Sequence, residues 1–385
     1  MIPYGKQSIN QDDIDAVVNV LSSDYLTQGP QVPLFEQAVA DVCSARYSVA
    51  VNSATSALHI AYLALGLGEG DALWTTPNTF VATANAALFC GADVDFVDID
   101  HDTYNMSMDF LEQKLISAKQ SGSLPKIVVP VHFAGQSCDM KRIKELSQEY
   151  GFKIVEDASH AIGAQYLGKP VGNGLYSDIT VFSFHPVKII TTAEGGVAVT
   201  NHKELFQKMQ LFRSHGVTRD ADLMTKDLEG PWYYQQVDLG FNYRMTELQA
   251  ALGVSQIQRL DQFVSIRTRL AKRYDELLSD LPLILPKQNK ETNSSFHLYP
   301  IKLQLEKITK SRLEVFNELR ENGIGVNIHY IPVHTQPFYQ KKGLLVGDYP
   351  IAESYYEREI SIPLFHGMSF QDQDEVVNVL KRVLV

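Results

Sequence analysis

The stretch Phe152-Lys153-Ile154-Val155-Glu156-Asp157 is a short apolar run that ends in two carboxylates, and it predicts a buried strand. Comparable runs occur on both sides of it along the chain. They predict strands over residues 48–51, 72–76, 94–97, 126–131, 153–155, 179–184 and 197–200. Stretches with helical length and spacing separate the first five, at residues 54–65, 80–89, 108–119 and 140–150. Repeated strand-helix units predict an α/β fold, with a mostly parallel central sheet and helices on both faces.

Beyond residue 200 the pattern becomes helical, over residues 203–213 and 246–278, and Gly253 interrupts the second stretch. Pro282, Pro286 and the polar stretch that follows them indicate a boundary loop. The remaining pattern predicts strands over 297–303 and 325–329 and helices over 311–322 and 372–384. We therefore expect a large domain over residues 1–260 and a smaller C-terminal α+β domain over residues 261–385.

Length and composition exclude several classes of protein. A chain of 385 residues is too long for one small core, and its net charge of −11 argues against binding to nucleic acids or anionic membranes. Three cysteines without a CxxC pair indicate neither a disulfide framework nor a zinc site, so no metal is expected. The N-terminus lacks the apolar stretch of a signal peptide, and polar residues interrupt the most apolar run, 54–67. We expect a cytoplasmic protein that does not cross a membrane.

Lys188 is the residue that points most directly to a chemistry. It follows the strand predicted over 179–184, and a lysine there can form a Schiff base, although a solvated surface lysine is the better explanation when it is taken alone. Asp157 ends its own strand, and His160 lies three residues beyond it. Asp, His and Lys in this order are what pyridoxal phosphate chemistry requires. Lys188 would hold the cofactor and later move a proton between the amino-acid Cα and the cofactor, which needs a lowered lysine pKa.

Other residues fit the same cofactor. The run Asn52–Leu58 follows a strand and opens a helix, so its backbone N–H groups and the Thr55 and Ser56 hydroxyls could bind a phosphate, although an ordinary N-cap explains the motif equally well. Phe80 could stack on the cofactor ring or belong to the core. Asp157 could pair with the pyridine nitrogen or cap a strand. His160 could hydrogen-bond the cofactor phenol or be a satisfied buried histidine.

Taken together, these motifs resemble the DegT/DnrJ/EryC1/StrS family of pyridoxal phosphate-dependent sugar aminotransferases over nearly the whole chain. The resemblance implies a fold-type I architecture and a homodimer whose active sites lie at the subunit interface. The matching segments are 26–30, 52–58, 76–80, 156–161, 183–188, 194–196, 240–244 and 325–332.

By position, the resemblance makes Lys188 the Schiff-base lysine and Asp157 the partner of the pyridine nitrogen, with His160 beside them as the third catalytic residue. The implied cofactor-binding residues are Ala54, Thr55, Ser56, Phe80, Asp157, His160, Ser183, Lys188 and Asn242. Asn242 would reach the cofactor phosphate from the partner subunit, unless it is only a turn residue. The implied sugar-nucleotide residues are Tyr4, Lys6, Asp24, Tyr25, Leu26, Thr27, Arg244, Asn327, Ile328, His329 and Tyr330.

One branch of the family carries a histidine in place of the lysine and removes a sugar hydroxyl, so Lys188 favours the transaminase branch. The run His185–Thr192 is similar to members that make UDP-4-amino-4,6-dideoxy-N-acetyl-β-L-altrosamine, whereas Ala193 departs from the usual glycine. The implied substrates are L-glutamate and a UDP-linked 4-keto-6-deoxy-N-acetylhexosamine. The alternatives are an aminotransferase for the D-configured epimer or a dTDP-sugar, and a regulatory or scaffold protein with the same fold.

Overall fold

A seven-stranded sheet forms the centre of the larger part of the chain. The structure, a computed structural model, describes residues 1–384. The strand order is β1-β9-β8-β5-β4-β2-β3; β9 runs antiparallel to β1 and β8, and the remaining neighbouring pairs are parallel. The predicted mostly parallel sheet is confirmed. The strands are β1 Tyr47–Val51, β2 Ala72–Thr75, β3 Asp93–Phe96, β4 Ile127–Val128, β5 Lys153–Asp157, β6 Gln165–Tyr166, β7 Lys169–Pro170, β8 Ile179–Ser183, β9 Gly196–Thr200, β10 Val217–Thr218, β11 Gln235–Gln236, β12 Leu283–Ile284, β13 Thr292–Asn293, β14 Tyr299–Leu303 and β15 Glu359–Ile362.

The helices that surround these strands begin at side-chain caps in several cases. Asn10 and Thr246, for example, each form a capping box that satisfies free N–H groups of the first helical turn. The helices are α1 Gln11–Leu21, α2 Gln31–Cys43, α3 Ala54–Ala64, α4 Ala82–Phe89, α5 Met108–Ser121, α6 Met140–Tyr150, α7 Lys203–Arg213, α8 Glu247–Ile257, α9 Leu260–Leu277, α10 Arg312–Glu321, α11 Pro337–Gln340, α12 Pro350–Arg358 and α13 Phe370–Leu384. None of the helices described is both long and apolar enough to span a membrane.

The long helix predicted over 246–278 is two helices, and the break is not at the expected glycine. The chain turns at Gln258 and Arg259, between α8 and α9. Gly253 lies inside α8, where a Cβ atom would come within 2.5 Å of the Phe35 ring on α2. The glycine therefore permits close packing of two helices and does not interrupt the helix.

The strand predicted over 325–329 is also wrong. Gly325 donates its N–H to the Ile2 carbonyl, and Asn327 exchanges two backbone hydrogen bonds with Ser361 on β15. These contacts are isolated bridges, because the segment meets a different neighbour at each end. The segment runs beside β15, at the edge of the β12-β14-β15 sheet, and residues 327–330 line a cavity.

Separate groups of apolar side chains pack on the two sheets. Leu260 and Phe263, at the start of α9, belong to a cluster on the large sheet, whereas Leu270 and Tyr274 belong to the cluster that covers the β12-β14-β15 sheet. Helix α9 thus connects the two packed regions. The division into domains at residues 260 and 261 stays a prediction.

Candidate active site

The carboxyl ends of β5 and β8 face a cavity of about 860 Å³ that also receives the start of α3 and the 327–330 segment. Eight of the nine predicted cofactor-binding residues line it: Ala54, Thr55, Ser56, Phe80, Asp157, His160, Ser183 and Lys188. Five of the predicted sugar-binding residues line the same cavity: Tyr4, Asn327, Ile328, His329 and Tyr330. The fold therefore brings together residues that are far apart in sequence, as expected at the carboxyl edge of a parallel sheet.

The first turn of α3 offers hydrogen-bond donors to an anion. Ser53 caps the helix by accepting the Ser56 N–H at 3.1 Å. The Ala54 and Thr55 N–H groups belong to the same first turn, where N–H groups have no helical partners. A Cβ atom at Gly196 would lie 2.5 Å from the Ala54 nitrogen, so β9 can pass beneath this turn only as glycine. The Ser56 hydroxyl donates to the Asn52 side chain at 2.7 Å. The Thr55 hydroxyl and the backbone donors are therefore the better-placed phosphate ligands.

Lys188 reaches the cavity from the turn that follows β8. Its backbone N–H donates to the His185 carbonyl at 2.9 Å, which closes the turn, and the side chain is partly buried in the cavity wall. Burial lowers the pKa of Lys188 to about 8, while the negative charge of Asp157 acts in the opposite direction. Roughly a tenth of the amine is therefore uncharged at pH 7, far more than at the usual lysine pKa, and a nucleophile and proton carrier needs this uncharged form.

Asp157 ends β5 and is held by two hydrogen bonds. One carboxylate oxygen accepts the Thr83 hydroxyl at 2.7 Å, and the other accepts the Ser159 N–H at 3.1 Å. The side chain is buried, and within residues 1–384 neither of these two partners is a cation. A buried carboxylate fixed in this way suits a cationic ring nitrogen as its missing partner.

Both ring nitrogens of His160 have protein partners. Nδ1 accepts the Ala134 N–H at 3.2 Å, so the ring proton lies on Nε2, which is 3.0 Å from the Tyr330 hydroxyl. The expected hydrogen bond from His160 to the cofactor phenol would have to displace Tyr330. His160 is buried, although it lines the cavity.

Three histidines around Lys188 are kept neutral. Burial and the nearby Lys188 lower the pKa of His329 to about 3, and they hold the pKa of His160 well below its usual range. His297, whose ring centre is 4.4 Å from that of His160, is buried, and its pKa is also well below the usual range. The cavity therefore has polar walls without several positive charges crowded around the lysine.

Phe80 lines the cavity with 60% of its surface exposed, and a flat ring could cover that face. Seven predicted residues do not line the cavity: Lys6, Asp24, Tyr25, Leu26, Thr27, Asn242 and Arg244. Asn242 is exposed and pairs through its backbone with Ser214, which leaves its side chain accessible.

Sequence reasoning missed several residues of the site. Thr83 lies in the first turn of α4, and only its position three residues after Phe80 could have indicated that it faces Asp157. His297 follows a polar loop and had no motif to mark it. The other residues that line the cavity without having been predicted include Asn52, Ser53, Thr79, Ser159, His185, Val187 and Glu194. No group of three or more His, Cys, Asp or Glu side chains in the described chain could hold a metal ion.

The donor set fits pyridoxal phosphate. Free N–H groups and a hydroxyl at the start of α3 match a phosphate, Asp157 matches a protonated ring nitrogen, and Lys188 matches the aldehyde. Each group is placed by a different element, and they meet in one cavity.

Comparisons with known proteins agree with this geometry. A protein of Campylobacter jejuni named UDP-4-amino-4,6-dideoxy-N-acetyl-beta-L-altrosamine transaminase is 40% identical over 100% of this chain and 98% of its own length. Helicobacter pylori PseC, described as an aminotransferase involved in the biosynthesis of pseudoaminic acid, superposes with a TM-score of 0.89 at 33% identity and covers 100% of this chain and 99% of its own.

A putative sugar aminotransferase of Streptococcus pneumoniae, Spr1654, has been solved in a PLP form that is 29% identical, with a TM-score of 0.88 and 100% coverage of both chains. The model of the DegT/DnrJ/EryC1/StrS aminotransferase family matches residues 7–381. The chain therefore belongs to the DegT/DnrJ/EryC1/StrS aminotransferase family, which confirms the predicted fold, enzyme class and pyridoxal phosphate cofactor.

Proposed function

We propose that this enzyme moves the amino group of L-glutamate to C4 of a UDP-linked 4-keto-6-deoxy-N-acetylhexosamine, giving UDP-4-amino-4,6-dideoxy-N-acetyl-β-L-altrosamine. The observation that carries the proposal is the meeting of Lys188, Asp157 and the α3 phosphate cradle in one cavity. The sugar is inferred from the Campylobacter jejuni relative, whose name contains this nucleotide sugar.

When bound, pyridoxal phosphate withdraws electrons from the amino-acid Cα and so makes the Cα proton acidic. Lys188 would hold the cofactor. With its amine free, it would take the proton from Cα of glutamate and, in the second half-reaction, deliver a proton to C4 of the sugar. Its pKa of about 8 suits both halves of that transfer. Thr83 keeps the Asp157 carboxylate aimed at the ring nitrogen, since its hydroxyl bonds one of the two oxygens.

The walls of the cavity would position the cofactor and exclude water. The Ala54 and Thr55 N–H groups, with the Thr55 and Ser183 hydroxyls, would bind the phosphate, and Phe80 would cover the ring. Polar groups from 327–330 line the same cavity and would contact the sugar. Tyr4 packs on His329 with ring centres 5.4 Å apart, which keeps the two residues of this wall together.

We also propose that the enzyme is a homodimer in which each subunit contributes to the site of the other. Segment 217–240 exposes large apolar side chains, including Trp232 at 70% and Leu239 at 73% of their surface, and Asn242 lies two residues beyond it. Exposed apolar surface of this kind favours burial against another chain. A cytoplasmic location stays a prediction.

The test supplies the purified protein with L-glutamate and, side by side, the L-altro and D-configured UDP-4-keto sugars and a dTDP-4-keto sugar. The expected product is the amino sugar of the L-altro compound, identified by its mass and the configuration at C4. Preferred turnover of another sugar would overturn the substrate assignment, and no turnover of any sugar would overturn the proposed activity.

A further inference from the structure

His329 is joined to a buried carboxyl group that the reaction described above does not use. Its Nδ1 lies 2.8 Å from the Ser361 hydroxyl, which in turn lies 2.5 Å from Oε1 of Glu359. The second oxygen of Glu359 accepts the His329 backbone N–H at 2.9 Å. The ring and the backbone of His329 are therefore both fixed by β15, and Nε2 is the ring atom left for the cavity.

Glu359 has no cationic partner to keep it charged. It is fully buried, and within residues 1–384 its side chain bonds only the Ser361 hydroxyl and the His329 N–H. Lys302, opposite it on β14, extends instead to the Tyr104 ring. Such a carboxyl is more stable protonated, because burial penalises the charged form.

The other groups that face Glu359 do not reverse this preference. The positive charge of Arg312, on α10, favours ionisation, but the guanidinium bonds the Tyr356 carbonyl. Three tyrosines from different parts of the chain lie near the carboxyl: Tyr104, Tyr330 and Tyr355. Burial raises the pKa of Glu359 to about 8, with the hydrogen bonds from Ser361 and His329 acting in the opposite direction.

The protonation of Glu359 decides which nitrogen of His329 carries the proton. A protonated Glu359 donates to the Ser361 oxygen, so the Ser361 hydroxyl donates to Nδ1 and the ring proton lies on Nε2. An ionised Glu359 accepts from Ser361, and Ser361 then accepts from an Nδ1–H group. The first arrangement gives the cavity a hydrogen-bond donor, and the second gives it an acceptor.

We propose that Glu359 and Ser361 are positioning residues that hold His329 with its Nε2–H directed into the cavity, as a donor to an oxygen of the sugar substrate. The inference rests on the proposed function, since the sugar is the ligand that the 327–330 wall would contact. A neutral histidine donor suits a keto oxygen, which gains negative charge as the carbonyl carbon is attacked.

Single-turnover kinetics of the two half-reactions test this role. Ser361→Ala should slow the half-reaction with the keto sugar by about tenfold, the effect of losing one well-placed hydrogen bond, and leave the glutamate half-reaction unchanged. Ser361→Thr, which keeps the hydroxyl, should restore the rate. Equal rates for Ser361→Ala and the wild type, or an equal loss in both half-reactions, would overturn the proposal.

Glu359→Gln keeps the shape and the hydrogen bonds of the protonated acid, because its NH₂ donates to Ser361 and its oxygen accepts the His329 N–H. It should match the wild type near neutral pH and exceed it with the sugar well above about pH 8, where the wild-type acid ionises. Asp275→Asn, the same change at a carboxylate bonded to Tyr299, should show no such difference. An alkaline decline shared by the wild type and Glu359→Gln would contradict the proposal.

Nitrogen-15 NMR of the histidine rings provides a readout that does not depend on turnover, with the His329 signal assigned by its absence in His329→Asn. Near neutral pH we expect the Nε2–H tautomer in the wild type and in Glu359→Gln. An Nδ1–H tautomer in the wild type would refute the positioning role even if the sugar is a substrate. If instead no sugar is turned over but the Nε2–H tautomer is found, the proposed function fails and the arrangement of His329 stands.

Discussion

The Thr83 hydroxyl donates to the Asp157 carboxylate across 2.7 Å, and the Thr79 hydroxyl lies 2.8 Å from that of Thr83. A short line of hydroxyls from the start of α4 thus fixes the carboxylate at the end of β5. Thr83→Val has nearly the same volume and lacks the hydroxyl. We expect it to lower kcat by about tenfold and to weaken cofactor binding, because Asp157 loses one of its two hydrogen bonds.

The matched control is Thr200→Val. Thr200 is also buried in the main sheet and donates to the Asp178 carbonyl at 2.7 Å, away from the cavity. The Thr200→Val variant should lose about as much unfolding free energy as Thr83→Val, measured by urea denaturation, and should keep the wild-type kcat. If both variants lose the same activity, Thr83 acts only through stability.

Replacing Lys188 by alanine tests the assignment of the central residue. We expect multiple turnover to fall by at least about 10³-fold, because the variant lacks both the group that attaches the cofactor and the proton carrier. Borohydride reduction followed by peptide mass spectrometry should locate the cofactor on Lys188 in the wild type. Lys169→Ala, at an exposed position on β7, should remain active. Attachment of the cofactor to another lysine would contradict the assignment.

The pH dependence of the glutamate half-reaction reports the ionisation of Lys188. The pKa of this lysine lies below its usual value, at about 8, and only the uncharged amine accepts a proton. The rate should therefore be low well below pH 8, rise as the pH passes through about 8, and level off above it. His160, His297 and His329 should add no further step near neutrality, since their pKa values are lowered. Single-turnover rates over this range check the prediction, and a rate independent of pH would contradict it.

Subunit complementation tests the shared site. Lys188→Ala and Asn242→Ala dimers should each be impaired, and refolding equal amounts together should form hybrids in half of the dimers. In each hybrid one site carries both changes and the other carries neither, so activity should approach about a quarter of the wild type when both parents are inactive. Activity that never exceeds the sum of the separate variants would show that Asn242 serves its own subunit.

The parts of the fold that follow from local pattern were the most predictable. Helix α6 and helix α7 have the predicted bounds, and the strands of the main sheet begin or end within a few residues of the prediction. Asp157 ends β5 and Lys188 follows β8, so both lie near the carboxyl edge of one sheet and meet in the same cavity. The strands predicted from the sequence already implied this.

Features set by long-range packing could not be predicted in the same way. Gly253 was expected to break a helix because its contact with Phe35, more than two hundred residues away in sequence, leaves no local mark. The 325–329 segment has the composition of a strand but meets two different neighbours. Glu359, which accepts the His329 N–H, had no motif around it, so the sequence did not show what lies behind the wall formed by residues 327–330.

Transfer of nitrogen-15 from labelled L-glutamate to the sugar tests the central proposal most directly. With UDP-4-keto-6-deoxy-N-acetyl-L-altrosamine as acceptor, we expect the label at C4 of the product, with one 2-oxoglutarate formed for each amino sugar, and no transfer by Lys188→Ala. Absence of the label from every keto-sugar product, while the protein holds the cofactor and reacts with glutamate, would contradict the proposed function.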